Sequence, residues 1–255
     1  MEMNQTAQNH QAFFELLAKS KDSIRLYDKK PVFSVWANQG IYPRLTLCYN
    51  LGNAETNSFD TYFTAVEQLE ASPRIIIEKN ADSATFEQLF KQNGFRPVEE
   101  WTSMQISLTD LENESNAELI IETVKNEHQL GQWLSIVEKT LFNGNHINRL
   151  IFNQLRENED TTMWLGYLSN QPISTALSFI HKDTVGLYMI STSGEFRGKG
   201  FGQEITAKAL LDAAGKGISI GVLQATRQGL NLYKKIGFQE NGKFIIYWKV
   251  GKKYM

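Results

Sequence analysis

The residues best suited to chemistry lie close together. Arg197, Gly198, Lys199, Gly200 and Gly202 follow an apolar run at 185–190 and lead into a helical pattern over 200–214. Alternating glycines let the main chain come close to a ligand. The amides that open a helix lack partners inside it, and the helix dipole favours an anion ahead of them. With the Arg197 and Lys199 cations alongside, the chemistry expected is the cradling of a phosphate or pyrophosphate. A plain glycine-rich turn between strand and helix is the alternative these residues leave open. Two other phosphate loops do not fit. A P-loop requires Ser or Thr after Gly198-Lys199, where Gly200 stands. A dinucleotide loop counted from Gly198 or Gly200 requires a small residue where Gln203 or Ile205 stands.

These groups need a frame. The run 185–190 shows no polar alternation, as in a strand covered on both faces. Beyond the loop, Phe201, Ile205 and Ala209 form an inward helical stripe, and Glu204, Lys208, Asp212 and Lys216 mark a solvated face. A second strand, turn and helix span 223–238. Gly237 suits the left-handed residue after that helix, and Lys234 and Lys235 suit its last turn.

Taken in order, these two stretches resemble motifs A and B of the GNAT acetyltransferase superfamily. Arg197, Gly200 and Gly202 carry the first; Tyr233, Gly237 and Phe238 carry the ending of the second. The resemblance covers about 118–250 and implies acetyl-CoA or a related acyl-CoA as co-substrate, with no metal. It implies direct transfer of the acyl group to an amine, either a small molecule or a peptide. Arg197 and the main chain of Gly198, Lys199, Gly200, Phe201, Gly202 and Gln203 would hold the pyrophosphate. Main chain along Ile190, Ser191 and Thr192 would align and polarise the thioester at a splay between strands. Tyr233 would serve the leaving thiolate. Thr226 stands where many members have Asn, a variant that keeps it among the cofactor contacts. No single base for the amine is named: Tyr188, Glu195, Glu138, His146 or a water relay would serve. A non-catalytic acyl-CoA sensor or scaffold is the alternative from another class, and a nucleotide-binding regulator is a third reading.

The whole chain agrees with an ordinary globular enzyme. Its 255 residues are 42% hydrophobic and 21% charged. A net charge of −2 gives no reason to expect a nucleic-acid or membrane-surface partner. The one cysteine, Cys48, suits a reducing compartment. The first residues lack the basic and apolar regions of a signal peptide, and no apolar run is long enough to span a bilayer, so a cytoplasmic protein is expected. No motif names the acceptor or the oligomeric state.

Along the chain, periodicity predicts a helix at 11–18, strands at 32–37 and 41–51, a helix at 59–69, a strand at 74–78, a helix at 83–92 and a strand at 97–108. A polar, acidic stretch at 109–117 reads as a linker. A strand at 118–124, helices at 128–141 and 147–155, and strands at 161–168, 173–181 and 185–190 follow. After the helix at 200–214 come a strand at 218–225, a helix at 227–236 and an extended segment at 238–250. The segment Leu89 to Phe95 resembles Leu232 to Phe238, and the offset that carries Gly94 onto Gly237 also carries helix onto helix and strand onto strand. The expected fold is therefore α/β with a mixed, GNAT-like sheet, in two tandem GNAT-type domains: a reduced copy at 1–110 and the acetyltransferase at 118–255. At that offset Arg197, Gly198, Gly200 and Gly202 fall on Ala54, Glu55, Asn57 and Phe59, so on this reading the first copy has lost the cradle; chance similarity between two Gly-Phe helix ends is the alternative.

Overall fold

In the polar stretch 4–10 the side chains of Asn4, Asn9 and His10 find partners on or beside the sheet. This appears in the computed structural model, which describes residues 3–49, 51, 54–80, 83–109, 111 and 119–254. Helix α1 (Gln5–Ala18) is capped by Asn4, whose side chain accepts from the Ala7 amide. Strands β1 (Ile24–Lys29), β2 (Val32–Ala37) and β3 (Arg44–Cys48) make an antiparallel meander. Helix α2 (Asp60–Glu67) crosses to β4 (Arg74–Glu78), which runs parallel to β3, and α3 (Ser83–Gln92) leads to the long β5 (Phe95–Ser107). The second half runs β6 (Ile120–Thr123), α4 (Glu127–Leu141), α5 (Arg149–Glu157), β7 (Thr161–Leu168), β8 (Gln171–His181) and β9 (Thr184–Thr192). It closes with α6 (Phe201–Gly215), β10 (Ile220–Ala225), α7 (Leu230–Ile236) and β11 (Gln239–Lys249).

Several boundaries differ from the sequence reading. Helix α1 begins at Gln5 rather than 11, and β1 was not predicted. Strand β3 is shorter than 41–51, and α7 begins at Leu230 because 227–229 form a turn. Most of the expected linker at 109–117 lies outside the described residues.

All the strands join one mixed sheet in the order β1-β2-β3-β4-β11-β5-β10-β9-β8-β7-β6. The two long strands exchange sides. Strand β5, from the first half, pairs with β10 and β11; β11, from the second half, pairs with β4 and β5, each time antiparallel. Trp248 near the end of β11 lies beside Arg44 and Arg74 of β3 and β4, at 5.3 and 6.0 Å, which ties the exchanged strand to its hosts. The break expected in sequence between the halves is thus not a break in the sheet. At the offset that carries Gly94 onto Gly237, α1 overlaps α5, β2 overlaps β8, β3 lies within β9, α2 within α6, α3 overlaps α7 and β5 overlaps β11.

Helices α1, α4 and α5 cover one face over a core that includes Phe13, Trp133, Phe152, Tyr188 and Phe244. On the other face, α2 and α3 cover the first half through Phe59, Phe63 and Phe90, and α6 covers the second through Ile205, Ala209 and Leu210. Under α1 lies a buried polar layer. The Tyr188 hydroxyl donates to Asn9 Oδ1 at 2.7 Å, and Asn9 Nδ2 donates to Thr184 Oγ1 at 2.9 Å. His10 pairs with the Tyr49 hydroxyl through Nδ1. Such groups are stable in a core only when partnered.

Two outcomes follow from this packing. Because each half completes the other's sheet, the chain should unfold in one transition by calorimetry and circular dichroism, and fragments 1–110 and 118–255 should become soluble only when expressed together. Separate melting of two units would contradict the exchange. Burial lowers the His10 pKa to about 3, against about 6.5 in the unfolded chain. The unfolded state therefore binds the extra proton, and the stability from this neutral imidazole is complete above pH 6.5 and falls as pH drops toward 3. His10→Gln should reduce the slope of unfolding free energy against pH between 6 and 4 by up to about 1.4 kcal/mol per unit.

Candidate functional site

The site begins where two parallel strands part. Strands β9 and β10 pair only from Thr184 to Gly186 and Ile220 to Val222. Beyond that, β9 follows β8 and β10 follows β5, so a wedge opens between them. A bulge in β9 sharpens it: the register with β8 slips between Thr175 and Leu177, and Met189 takes φ of 51°, a left-handed backbone in a non-glycine residue. The chain around the bulge is anchored. Thr175 Oγ1 donates to the Met189 carbonyl at 3.0 Å, and the Ser191 and Thr140 hydroxyls share a hydrogen bond of 2.6 Å that ties β9 to α4.

The glycine loop stands at the mouth of this wedge. Gly198 and Gly200 have φ of 77° and 91°, conformations that explain why glycine is used. A Cβ at either position would meet nothing within 4 Å, so the space before them is open. Among the described residues, the amides of Gly198, Lys199, Gly200, Phe201 and Gly202 have no hydrogen-bond acceptor. The Gln203 amide does: it donates to the Gly200 carbonyl at 2.9 Å. The expected cradle therefore loses one main-chain donor, although Gln203 still lines the cleft. Gly202 serves packing, since a Cβ there would lie 3.0 Å from Leu232 and 3.4 Å from the Thr192 hydroxyl. Arg197 donates through Nε to the Thr192 carbonyl at 3.0 Å, which fixes its guanidinium beside the end of β9.

Loop and wedge together form a cleft of about 400 Å³, within the range of small-ligand sites. Ile190, Ser191 and Thr192 line it from β9, Arg197, Gly198, Gly200, Phe201 and Gly202 from the loop and α6, and Thr226 and Tyr233 from the turn after β10 and α7. Lys199 is not on its lining; its ammonium lies 5.6 Å from the Phe196 ring centre. The sequence reading missed Leu141, Phe196, Gln228, Gly229, Leu232 and Lys235. Leu232 and Lys235 lie three apart on one face of α7, a signal that was present, and Gln228 lies in the turn before it; nothing local marks Leu141 at the end of α4.

Tyr233 is half-buried on the cleft wall, edge-on to Phe238 with ring centres 5.9 Å apart. Burial raises its pKa well above the usual phenol value, so it stays protonated at neutral pH and can donate a hydrogen bond or a proton. The Thr226 carbonyl accepts from the Gly229 and Leu230 amides at 3.0 and 3.2 Å and shapes the entry to α7. The four suggested bases separate. Tyr188 is stacked on Phe13 at 4.1 Å, hydrogen-bonded to Asn9, and held protonated by burial, so it is no base. Glu195 is exposed on the turn, off the cleft lining. Glu138 and His146 belong together: Glu138 accepts from the Ile147 amide at 3.0 Å and meets His146 Nδ1 at 3.2 Å. The His146 side chain is 89% exposed, so the other face of this pair is open to water.

Residues 159–240 match the family model of the acetyltransferase (GNAT) domain. No curated protein matches the sequence. Among solved structures, the chain is similar to a GCN5-related N-acetyltransferase from Kribbella flavida, with 15% identity, a TM-score of 0.74 and coverage of 98% of this chain and 97% of that one. It is also similar to a GCN5-related N-acetyltransferase from Sphaerobacter thermophilus, with 14% identity, a TM-score of 0.61 and coverage of 85% and 79%. A GCN5-related glucosamine N-acetyltransferase region of a fungal multi-domain GH3 β-N-acetylglucosaminidase matches at 10% identity and a TM-score of 0.62, covering 88% of this chain and 31% of that one. The fold is that of the GCN5-related N-acetyltransferases, and the matched domain contains the loop, the wedge and Tyr233.

The position of Tyr233 depends on a neighbour without a side chain. A Cβ at Gly229 would lie 2.9 Å from Tyr233 Cε2, while the Gly229 backbone (φ −83°) suits any residue. Gly229→Ala should therefore cost about 1 kcal/mol by overpacking. The cost should shrink in a Tyr233→Leu background, as a thermal double-mutant cycle would show.

Proposed function

We propose that the protein is an acyl-CoA-dependent N-acyltransferase, most simply an N-acetyltransferase acting on a primary amine of a small molecule or peptide. The observation that carries this reading is the row of amides at 198–202 without a hydrogen-bond acceptor, with open space before Gly198 and Gly200, at the mouth of the wedge between β9 and β10. Such donors ahead of a helix suit a diphosphate. With Arg197 beside them they would hold the pyrophosphate of the coenzyme, and the wedge would take its extended arm. Acetyl-CoA supplies an activated thioester when bound. Main chain from Ile190 to Thr192, on the cleft lining, would orient and polarise the carbonyl, a task for fixed donors rather than mobile ones. Tyr233, protonated and on the cleft wall, would give its proton to the departing thiolate. The Lys199 side chain plays no part in this reading, and we place the protein in the cytoplasm.

The same reading treats 1–110 and 118–255 as two GNAT-type halves of which only the second binds coenzyme. Phe59, at the position equivalent to Gly202, is fully buried against Phe86 and Phe90, with ring centres 5.4 Å away in each case. Aromatic packing stands where close main-chain approach would be needed.

The test is titration calorimetry with CoA, followed by an assay of thiol release from acetyl-CoA across a panel of amines. The intact protein should bind CoA, and Gly200→Val should weaken binding at least about tenfold by forcing a side chain onto a left-handed residue before the cradle. Tyr233→Phe should lower kcat by about a hundredfold and leave CoA affinity near the wild-type value. No CoA binding would overturn the reading. Binding without thiol release from any amine would favour a sensor.

A further inference from the structure

Asn9 is fully buried, yet it lies on a helix of the first half and every hydrogen bond of its side chain is with the second half. Its Oδ1 accepts from the Tyr188 hydroxyl at 2.7 Å; its Nδ2 donates to Thr184 Oγ1 at 2.9 Å and to the Phe179 carbonyl at 3.4 Å. All three partners are on β8 and β9. The fit is tight enough to demand a glycine below it: a Cβ on Gly186 would fall 1.9 Å from Asn9 Oδ1 and 2.8 Å from the Tyr188 ring. The Tyr188 ring is also near-parallel to two rings of α1, Phe13 at 4.1 Å and His10 at 6.0 Å.

The next residue after Tyr188 is Met189, the left-handed residue of the bulge, and the next three line the cleft. A left-handed methionine is held only by surrounding structure that over-determines it. Downstream the anchors are Thr175 on the Met189 carbonyl and Thr140 on Ser191. Upstream the anchor is Tyr188, and Tyr188 is fixed by α1.

We propose that Asn9 and Tyr188 are positioning residues for acyl transfer: through them the half without a cradle sets the conformation of the β9 bulge and so aims the main chain of 190–192 at the thioester. This rests on the acyltransferase reading above. It gives the first half a part in the chemistry that does not depend on its binding any ligand. Loss of the Tyr188 hydroxyl leaves Asn9 Oδ1 buried without that partner and frees the residue before the bulge to relax, while the cradle at 198–202, on a different segment, keeps its geometry.

The experiment compares CoA with acetyl-CoA labelled at the acetyl carbonyl. CoA affinity reports the cradle; the carbonyl stretch of the bound labelled thioester, by difference infrared spectroscopy, reports polarisation by β9. Wild-type protein should bind CoA and shift the stretch to lower frequency. Tyr188→Phe, which keeps the stacked ring, should bind CoA within about twofold of wild type yet lose at least half of that shift. Asn9→Ser should do the same. If both variants keep the full shift, or if the shift falls only in step with CoA affinity and melting temperature, the inference is wrong and the contacts are merely structural. Failure of wild-type protein to bind CoA would overturn the acyltransferase reading instead, and is seen before any variant is made.

Discussion

The structure depends on the parting of two parallel strands. A parallel pair normally satisfies its main-chain groups along its length, and β9 and β10 stop doing so after three registered pairs. The separation is possible because each strand has another neighbour: β8 holds β9, and β5 holds β10. What would otherwise be a defect becomes a slot with main chain on both sides. Helix α6 then begins at the slot's mouth and adds its own unpartnered amides. Fixed dipoles of this kind need no reorganisation when charge arrives, the property that makes main-chain donors effective in transfer chemistry.

Each support of the slot comes from a different part of the chain. Strand β5, which flanks β10, belongs to the first half, as does α1, which packs on β9 from one face. Thr140 on α4 and Thr175 on β8 fix the bulge from two further directions. Convergence of three separate segments, α1, α4 and β8, on one strand is what allows a left-handed methionine to persist there. The halves resemble each other in element order but divide the labour: one carries the loop, and the other contributes a flanking strand and a covering helix.

The cradle was legible in the sequence because left-handed turns restrict residue choice. Gly198 and Gly200 announce the backbone they need. The isoleucines of β4 and the capped, periodic helices were legible for similar local reasons. The strand exchange was not, since the residues of β5 and β11 specify extended chain and leave open which neighbour each will take. Strand β1 escaped because its apolar and charged residues do not alternate: at the sheet edge only Ile24 and Tyr27 turn inward, and Leu26 is exposed. The first turns of α1 escaped because Asn9 and His10 are polar yet buried, and their partners are remote: Tyr49 is 39 positions from His10 and Tyr188 is 179 from Asn9. That separation also explains why Tyr188 looked like a base in the sequence and proved to be a strut.

The exchange of β5 and β11 also bears on how the protein is made. Strand β4 has β3 on one side and β11 on the other, so its outer edge stays open until residues 239–249 have left the ribosome. Strand β5 must likewise wait for both β10 and β11. The first half therefore spends most of translation as an incomplete sheet with apolar edge strands, the state in which nascent chains are most prone to pair wrongly. Two copies of this chain on one messenger could lend each other β11, so a strand-swapped dimer is the characteristic misassembly of this architecture.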